Sequence, residues 1–109
     1  MLQDDRRVFA RFQTSFPFEI QHLGAKQSNI AQCYDISAGG IGFISGTPVS
    51  PQTNLQVRLA IPDSKVPFQT VARVVWIEQI YANKWRSGLE FSNVDFMKMR
   101  RVLQTNKVF

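Results

Sequence analysis

Over most of the chain, apolar residues recur at every second position. Phe16, Phe18 and Ile20 alternate with Pro17, Glu19 and Gln21, the signature of a half-buried strand. Gly24 follows Leu23 and opens a turn that runs through Ala25, Lys26 and Gln27. Residues 29–37 predict a second strand, with Ile30 and Ile36 facing the core. Gly39-Gly40 punctuates it, and Ile41–Ile44 predict a third short strand. Ser45–Thr53 contains Gly46, Pro48 and Pro51 and predicts a loop. Leu55, Val57, Leu59 and Ile61 then alternate with Gln56, Arg58 and Ala60, the clearest strand in the chain, and Pro62-Asp63 turns it. Residues 68–80 are apolar on both parities (Val71, Val74, Val75, Trp76, Ile77), which predicts a strand buried on both faces or bulged. In the last strand Trp85, Ser87, Leu89 and Phe91 point one way, with Lys84, Arg86 and Glu90 opposite.

The period changes in the tail. Phe96, Met99, Val102 and Leu103 recur at helical spacing, and Ser92-x-x-Asp95 before them reads as a capping box with Asp in place of Glu. The expected helix covers about 94–105 and buries its stripe against the sheet or plugs one end of a barrel. About six short strands followed by one helix predict an all-β fold with a C-terminal helix: a six-stranded antiparallel β-barrel plus one α-helix. Closure also removes the exposed edges that short strands would leave. Residues 1–12 are polar without a sustained period and read as a flexible N-terminal segment, leaving 13–109 for the barrel and helix. No repeat, low-complexity stretch or linker interrupts the pattern.

Length and composition narrow the picture. At 109 residues the chain suits one domain, and 44% apolar content with nine Phe supports a sizeable core. No apolar run approaches the ~20 residues of a membrane span. The opening MLQDDRR has no apolar stretch behind its charges, so no secretory signal is expected. The single cysteine, Cys33, excludes an internal disulfide and suits a reducing compartment, so a cytoplasmic location is expected. The net charge of +5 favours an anionic partner without naming it. Basic residues are dense only around Arg6, Arg7 and Arg11 and over Lys98–Arg101, where they read as the solvated face of the helix.

Two clusters carry candidate chemistry. The first is Arg6-Arg7-x-x-x-Arg11. Arginine presents a flat fork of donors that matches phosphate oxygens or the O6/N7 edge of guanine. The plainer alternative is pairing with Asp4 and Asp5. The second cluster is Asp35-x-Ser37-x-x-Gly40. Asp35 and Ser37 share a strand face, with Ile36 turned inward. A carboxylate matches the adjacent N1–H and N2–H donors of guanine, and Gly39 and Gly40 let the backbone turn sharply and approach a ligand. The plainer alternative is an Asx or Ser turn at a strand end.

Metal and catalytic readings fail on inventory. His22 is the only histidine and Cys33 the only cysteine, with no second soft ligand nearby. There is no Walker loop, nucleophile elbow or carboxylate pair at convincing spacing, so neither an enzyme nor a cofactor is expected. His22 reads as a packed or rim residue, Cys33 as a small, partly covered hydrophobe, and Trp76 and Trp85 as core or rim aromatics.

An R-x-x-x-R followed some two dozen residues later by D-x-S-x-x-G resembles the PilZ domain family, known as bacterial receptors for cyclic di-GMP. Arg73-Val-Val-Trp76 and Gly88-Leu-Glu-Phe91 resemble the later strands of that family, and the likeness extends over essentially the whole chain. The resemblance implies a six-stranded barrel with a C-terminal helix. It implies that Arg7 and Arg11 bind phosphate and guanine, while Asp35, Ser37 and Gly40, with Gly39 beside them, hold a guanine. Arg6, preceding the first motif arginine, is compatible with a stacked pair of ligands, so two per chain are expected. A change of conformation would then signal to a downstream protein in motility, adhesion or matrix production. Two rivals remain: a PilZ-like protein–protein adaptor, and a small basic barrel for single-stranded nucleic acid. The latter needs exposed aromatics interleaved with basic residues, whereas most aromatics here sit on inward parities.

Overall fold

Period-two alternation needs one wet and one dry face, and an antiparallel barrel supplies both. The computed structural model describes residues 11–60, 66–93 and 95–105. Its elements are β1 (Phe12–His22), β2 (Asn29–Ser37), β3 (Gly40–Ser45), β4 (Asn54–Leu59), β5 (Phe68–Tyr81), β6 (Lys84–Phe91) and α1 (Phe96–Thr105). The strands close into an antiparallel barrel in the order β1-β2-β3-β6-β5-β4, with β1 pairing β4 to complete it. The expected architecture is the observed one. β1 begins at Phe12, one residue before the boundary expected at 13. Ile61, Pro62 and Asp63 lie outside the described residues.

The inner face is a single apolar cluster to which every strand contributes. Phe18 and Phe43 meet edge to face at its centre, their ring centroids 5.9 Å apart. Phe43, Ile36, Leu55 and Val57 are fully buried. Truncating a buried Phe to Ala typically costs about 3–5 kcal/mol, so Phe43 is a major anchor of the fold. Met99 and Val102 of α1 belong to the same cluster, while Lys98, Arg100 and Arg101 are exposed.

Ile30 departs from expectation. It is 68% exposed, whereas Ala31, Cys33 and Ile36 are buried. The register between β2 and β3 slips between Cys33 and Asp35. A bulge adds one residue and reverses the parity of everything beyond it. Ile36 is therefore inward and Ile30, on the other side of the bulge, is outward. In β5 the bulged alternative is the correct one. The register slips between Val74 and Trp76, leaving Val74 inside while Val75 and Trp76 both face out.

The helix start also differs. Asp95 is itself the N-cap: its Oδ1 accepts from the Lys98 backbone N–H at 3.0 Å, and its carbonyl accepts from Met99 at 2.9 Å. Ser92 does not head a capping box. Its backbone N–H donates to the Val71 carbonyl at 2.9 Å and ties the helix approach to β5. Gly24 has φ +84° as the third residue of a turn closed by Ala25 N–H to the His22 carbonyl. Only glycine adopts that backbone without strain.

Candidate functional site

The site grows from the β2 bulge. Cys33 pairs with Phe43 and Asp35 with Gly42, so Tyr34 and Asp35 together oppose one residue of β3. Two side chains then share the space over Gly42. A Cβ there would overlap both the Asp35 carboxylate and the Tyr34 ring. Gly42 pairs in turn with Gly88 of β6. A Cβ on Gly88 would overlap the indole of Trp76, which stands 41% exposed on β5. The barrel wall thus carries a strip of bare backbone, with Tyr34 and Asp35 over one end and Trp76 over the other.

Arg11 and Asp35, 24 positions apart, meet beside this strip. Arg11 donates from Nε to Asp35 Oδ2 at 3.2 Å and from Nη2 to Oδ1 at 2.7 Å. Their side chains are only 27% and 24% exposed. The hydrogen bond to Asp35 raises the Arg11 pKa against the opposing effect of burial, so the guanidinium stays charged. On the β6 side, the Arg86 guanidinium lies over the Tyr34 ring, 5.6 Å from its centroid, and pairs with Glu78 at 2.7 Å. Burial, then the Asp35 charge, raises the Tyr34 pKa, so its hydroxyl is neutral at physiological pH.

Cys33 is fully buried beneath Asp35, and its thiol donates to the Asp35 carbonyl at 3.3 Å. Burial, with the Asp35 charge adding, pushes its pKa up to about 12. It carries no thiolate at neutral pH and is no nucleophile.

Ser37 is buried at the end of β2, and its Oγ accepts the Gly39 backbone N–H at 3.1 Å. That is the Ser turn anticipated as the plainer alternative. The expectation for Gly39 and Gly40 needs a different reason. Neither has positive φ. A Cβ on Gly40 would instead collide with the Leu89 carbonyl oxygen of β6, and the Gly39 carbonyl accepts from Phe91 at 2.9 Å. These glycines let two backbones approach each other. Arg6 and Arg7 lie outside the described residues. His22 is an exposed rim residue. Among the described residues no group of three His, Cys, Asp or Glu side chains could hold a metal, and no helix is long and apolar enough to cross a membrane.

Sequence reading missed Tyr34, Gly42, Gly88 and Trp76 as neighbours of this site. The available signal was a lone glycine inside each of two apolar strands, which marks a bulge or a close approach.

The family model described as PilZ domain matches residues 5–105. This chain belongs to the PilZ domain family. As a PilZ domain it superposes on the Bacillus subtilis inhibitor of motility with a TM-score of 0.71 at 23% identity, covering 98% of this chain and 52% of that one. It superposes on the PilZ domain of YcgR from Escherichia coli, determined with c-di-GMP, at 0.62 and 19% identity, covering 94% and 90%. The MrkH–c-di-GMP complex of K. pneumonia gives 0.66 at 16% identity, covering 94% and 51%. The PilZ chain thus spans about half the length of the first and third of these proteins. At these identities the likeness establishes the fold. No curated protein matches the chain.

Proposed function

We propose that the protein is a non-enzymatic receptor for cyclic di-GMP. The observation that carries this reading is the Arg11–Asp35 pair: a planar cationic fork and a carboxylate from the two family motifs, brought to 2.7 Å on the outer wall of the barrel. Two further features support it. Gly42 and Gly88 let Asp35, Tyr34 and Trp76 lie close against the barrel wall, and the 41% exposed Trp76 offers a face on which a base can stack. Arg7 shares phosphate and guanine contacts with Arg11 in this reading, Arg6 stacks on a base of a second ligand, and two PilZ relatives are complexes with this ligand. Ser37 and Gly40 shape the turn behind the site; the Ser37 hydroxyl, already an acceptor, keeps a proton to donate.

In this reading the segment before Arg11 closes on the ligand, and the altered surface is offered to a protein partner in motility, adhesion or matrix production. Single-stranded nucleic acid is the less favoured reading: Phe16, Phe18, Phe43, Phe68 and Phe91 are buried, leaving Trp76 and Tyr81 as the exposed aromatics among the described residues, too few for a row of stacking platforms. Calorimetry against cyclic di-GMP, with GTP and linear pGpG as controls, tests the proposal. The expected result is saturable binding of the cyclic dinucleotide alone, with a plateau at two ligands per chain. Absence of heat at any ratio would refute the receptor reading; a plateau at one would refute the stacked pair.

A further inference from the structure

A closed barrel removes sheet edges only where its strands overlap. β5 has 14 residues and its neighbour β4 has six. β4 covers β5 from Phe68 to Arg73. Val74 is covered by the chain just before β4: its carbonyl accepts the Gln52 N–H at 2.7 Å and its N–H donates to the Thr53 carbonyl at 2.9 Å. Beyond Val74, β5 has β6 along one side. Among the described residues no strand pairs with the other side.

The register tells which backbone groups stand on that open side. Val74 turns both of its groups away from β6, and it lies opposite Leu89. After the bulge, Ile77 lies opposite Ser87 and Gln79 opposite Trp85, residues of the same parity on β6 as Leu89. Antiparallel pairs alternate between facing the partner and facing away, so Ile77 and Gln79 also turn their N–H and carbonyl groups to the open side. A second register shift, between Gln79 and Tyr81, ends the regular stretch. The open edge therefore runs over Trp76–Gln79.

Its side chains leave it accessible. Edges are commonly defended by lysine or proline, and Trp76–Tyr81 contains neither. Trp76 and Tyr81 are 41% and 70% exposed. The one charge on the edge is Glu78, already bonded to Arg86 at 2.7 Å. An acidic or basic peptide finds no unpaired charge there to select it. A second copy of the chain meets no net repulsion at the edge, and brings matching donors and acceptors.

We propose that two copies of the chain pair through these edges, antiparallel about a two-fold axis at Glu78. Ile77 of one copy then lies opposite Gln79 of the other, each pair exchanging two N–H to carbonyl bonds, and the β5–β6 sheet continues from one barrel into the next. The contact is isologous, so it uses up both edges and stops at a dimer. It does not depend on the receptor reading.

Sedimentation velocity of the full chain, without nucleotide, tests the pairing. The average mass should rise from one chain towards two between about 10 µM and about 1 mM, the range of a small transient contact. The Gln79 N–H faces away from β6, so proline there leaves the β5–β6 ladder intact. Gln79→Pro should keep the parent's melting temperature and weaken dimerisation about tenfold, because the symmetry removes two donors at once. Glu78→Cys tests the axis. Opposed residues that face away from each other's bonds have Cα atoms about 4.5 Å apart, within disulfide reach. Glu78→Cys should cross-link to its copy in air with copper phenanthroline. Tyr81→Cys, about 20 Å from its copy in this register, should not. Cys33 is fully buried and does not compete.

A parent that stays monomeric at about 1 mM would overturn the inference. So would a folded Gln79→Pro that dimerises like the parent, or Tyr81→Cys cross-linking as fast as Glu78→Cys. Should Gln79→Pro lose its fold, the cross-linking comparison decides.

Discussion

The Arg11–Asp35 and Arg86–Glu78 pairs lie on either side of Tyr34, and both have a shortest N–O distance of 2.7 Å. Distance does not distinguish them; their surroundings do. Glu78 and Arg86 face each other across the β5–β6 hairpin, 56% and 43% exposed. Water screens them, and hairpin neighbours would find each other in almost any version of this sheet. Arg11 and Asp35 are brought together by the closure of β1 on β2, two hydrogen bonds fix the guanidinium plane, and solvent reaches about a quarter of each. Charge-assisted bonds in such a setting contribute about 1.5–3 kcal/mol each, against a median near zero for screened surface pairs. The bulge at Tyr34 turns one of two similar-looking contacts into an oriented fork.

The largest expected effect tests that contrast directly. Arg11→Ala should abolish cyclic di-GMP binding, a loss of about 100-fold or more for a residue making two or three charge-assisted contacts, while the chain stays folded. Arg86→Ala should change affinity by less than about threefold, the effect of a screened exposed charge. Comparable losses in titrations of the two variants would erase the distinction.

Two glycines on one strand sharpen it further. A Cβ at Gly40 meets the Leu89 backbone, which cannot step aside, so Gly40→Ala should destabilise the fold by about 1–3 kcal/mol, read by denaturant melts. A Cβ at Gly42 meets the ends of two side chains, which can. Gly42→Ala should therefore displace Asp35, lowering the melt only by the loss of its bonds to Arg11 and affinity by about tenfold, as expected when a positioned fork loses one bidentate contact.

The next effect links the site to the core. Cys33 is pushed up to about 12 by burial and, secondarily, by the Asp35 charge. Its folded pKa exceeds the unfolded value, so the neutral thiol is favoured by folding. That stabilisation is complete below about pH 9 and is lost as pH rises towards 12, with a limiting slope of about 1.4 kcal/mol per pH unit. Alkaline denaturation of Cys33→Ala should lack this component, and Asp35→Asn should lose the smaller part of it. Identical alkaline profiles for all three proteins would show the carboxylate and thiol to be uncoupled. The smallest effect is the stability of Arg86→Ala, whose melt should match the parent's.

Much of this molecule was legible beforehand. Alternation at Phe16, Phe18 and Ile20 and at Leu55, Val57 and Leu59 located strands, because the pleat is a local property of the backbone and pairs each residue with a face whatever lies across from it. The spacing of Met99 and Val102 located the helix for the same reason. The motif residues Arg11 and Asp35 were singled out by side-chain chemistry and spacing together with the resemblance to the PilZ domain family.

Ile30 and the capping residue were misplaced for reasons that local pattern does not carry. A bulge reverses strand parity, and whether one forms depends on which strand lies alongside. Asp95 caps the helix through its own carboxylate, while the Ser92 N–H is taken up by β5.

By itself, then, the order of residues determined the element types, the strand faces away from the bulges and the two chemical groups of the proposed site. Only the closed barrel decided that Tyr34 and Asp35 would share one glycine, that Gly42 would lie beside Gly88, and that Arg11 would meet Asp35 with two hydrogen bonds. Those outcomes depend on the pairing of β2 with β1 and of β3 with β2 and β6, contacts between strands that no local periodicity encodes.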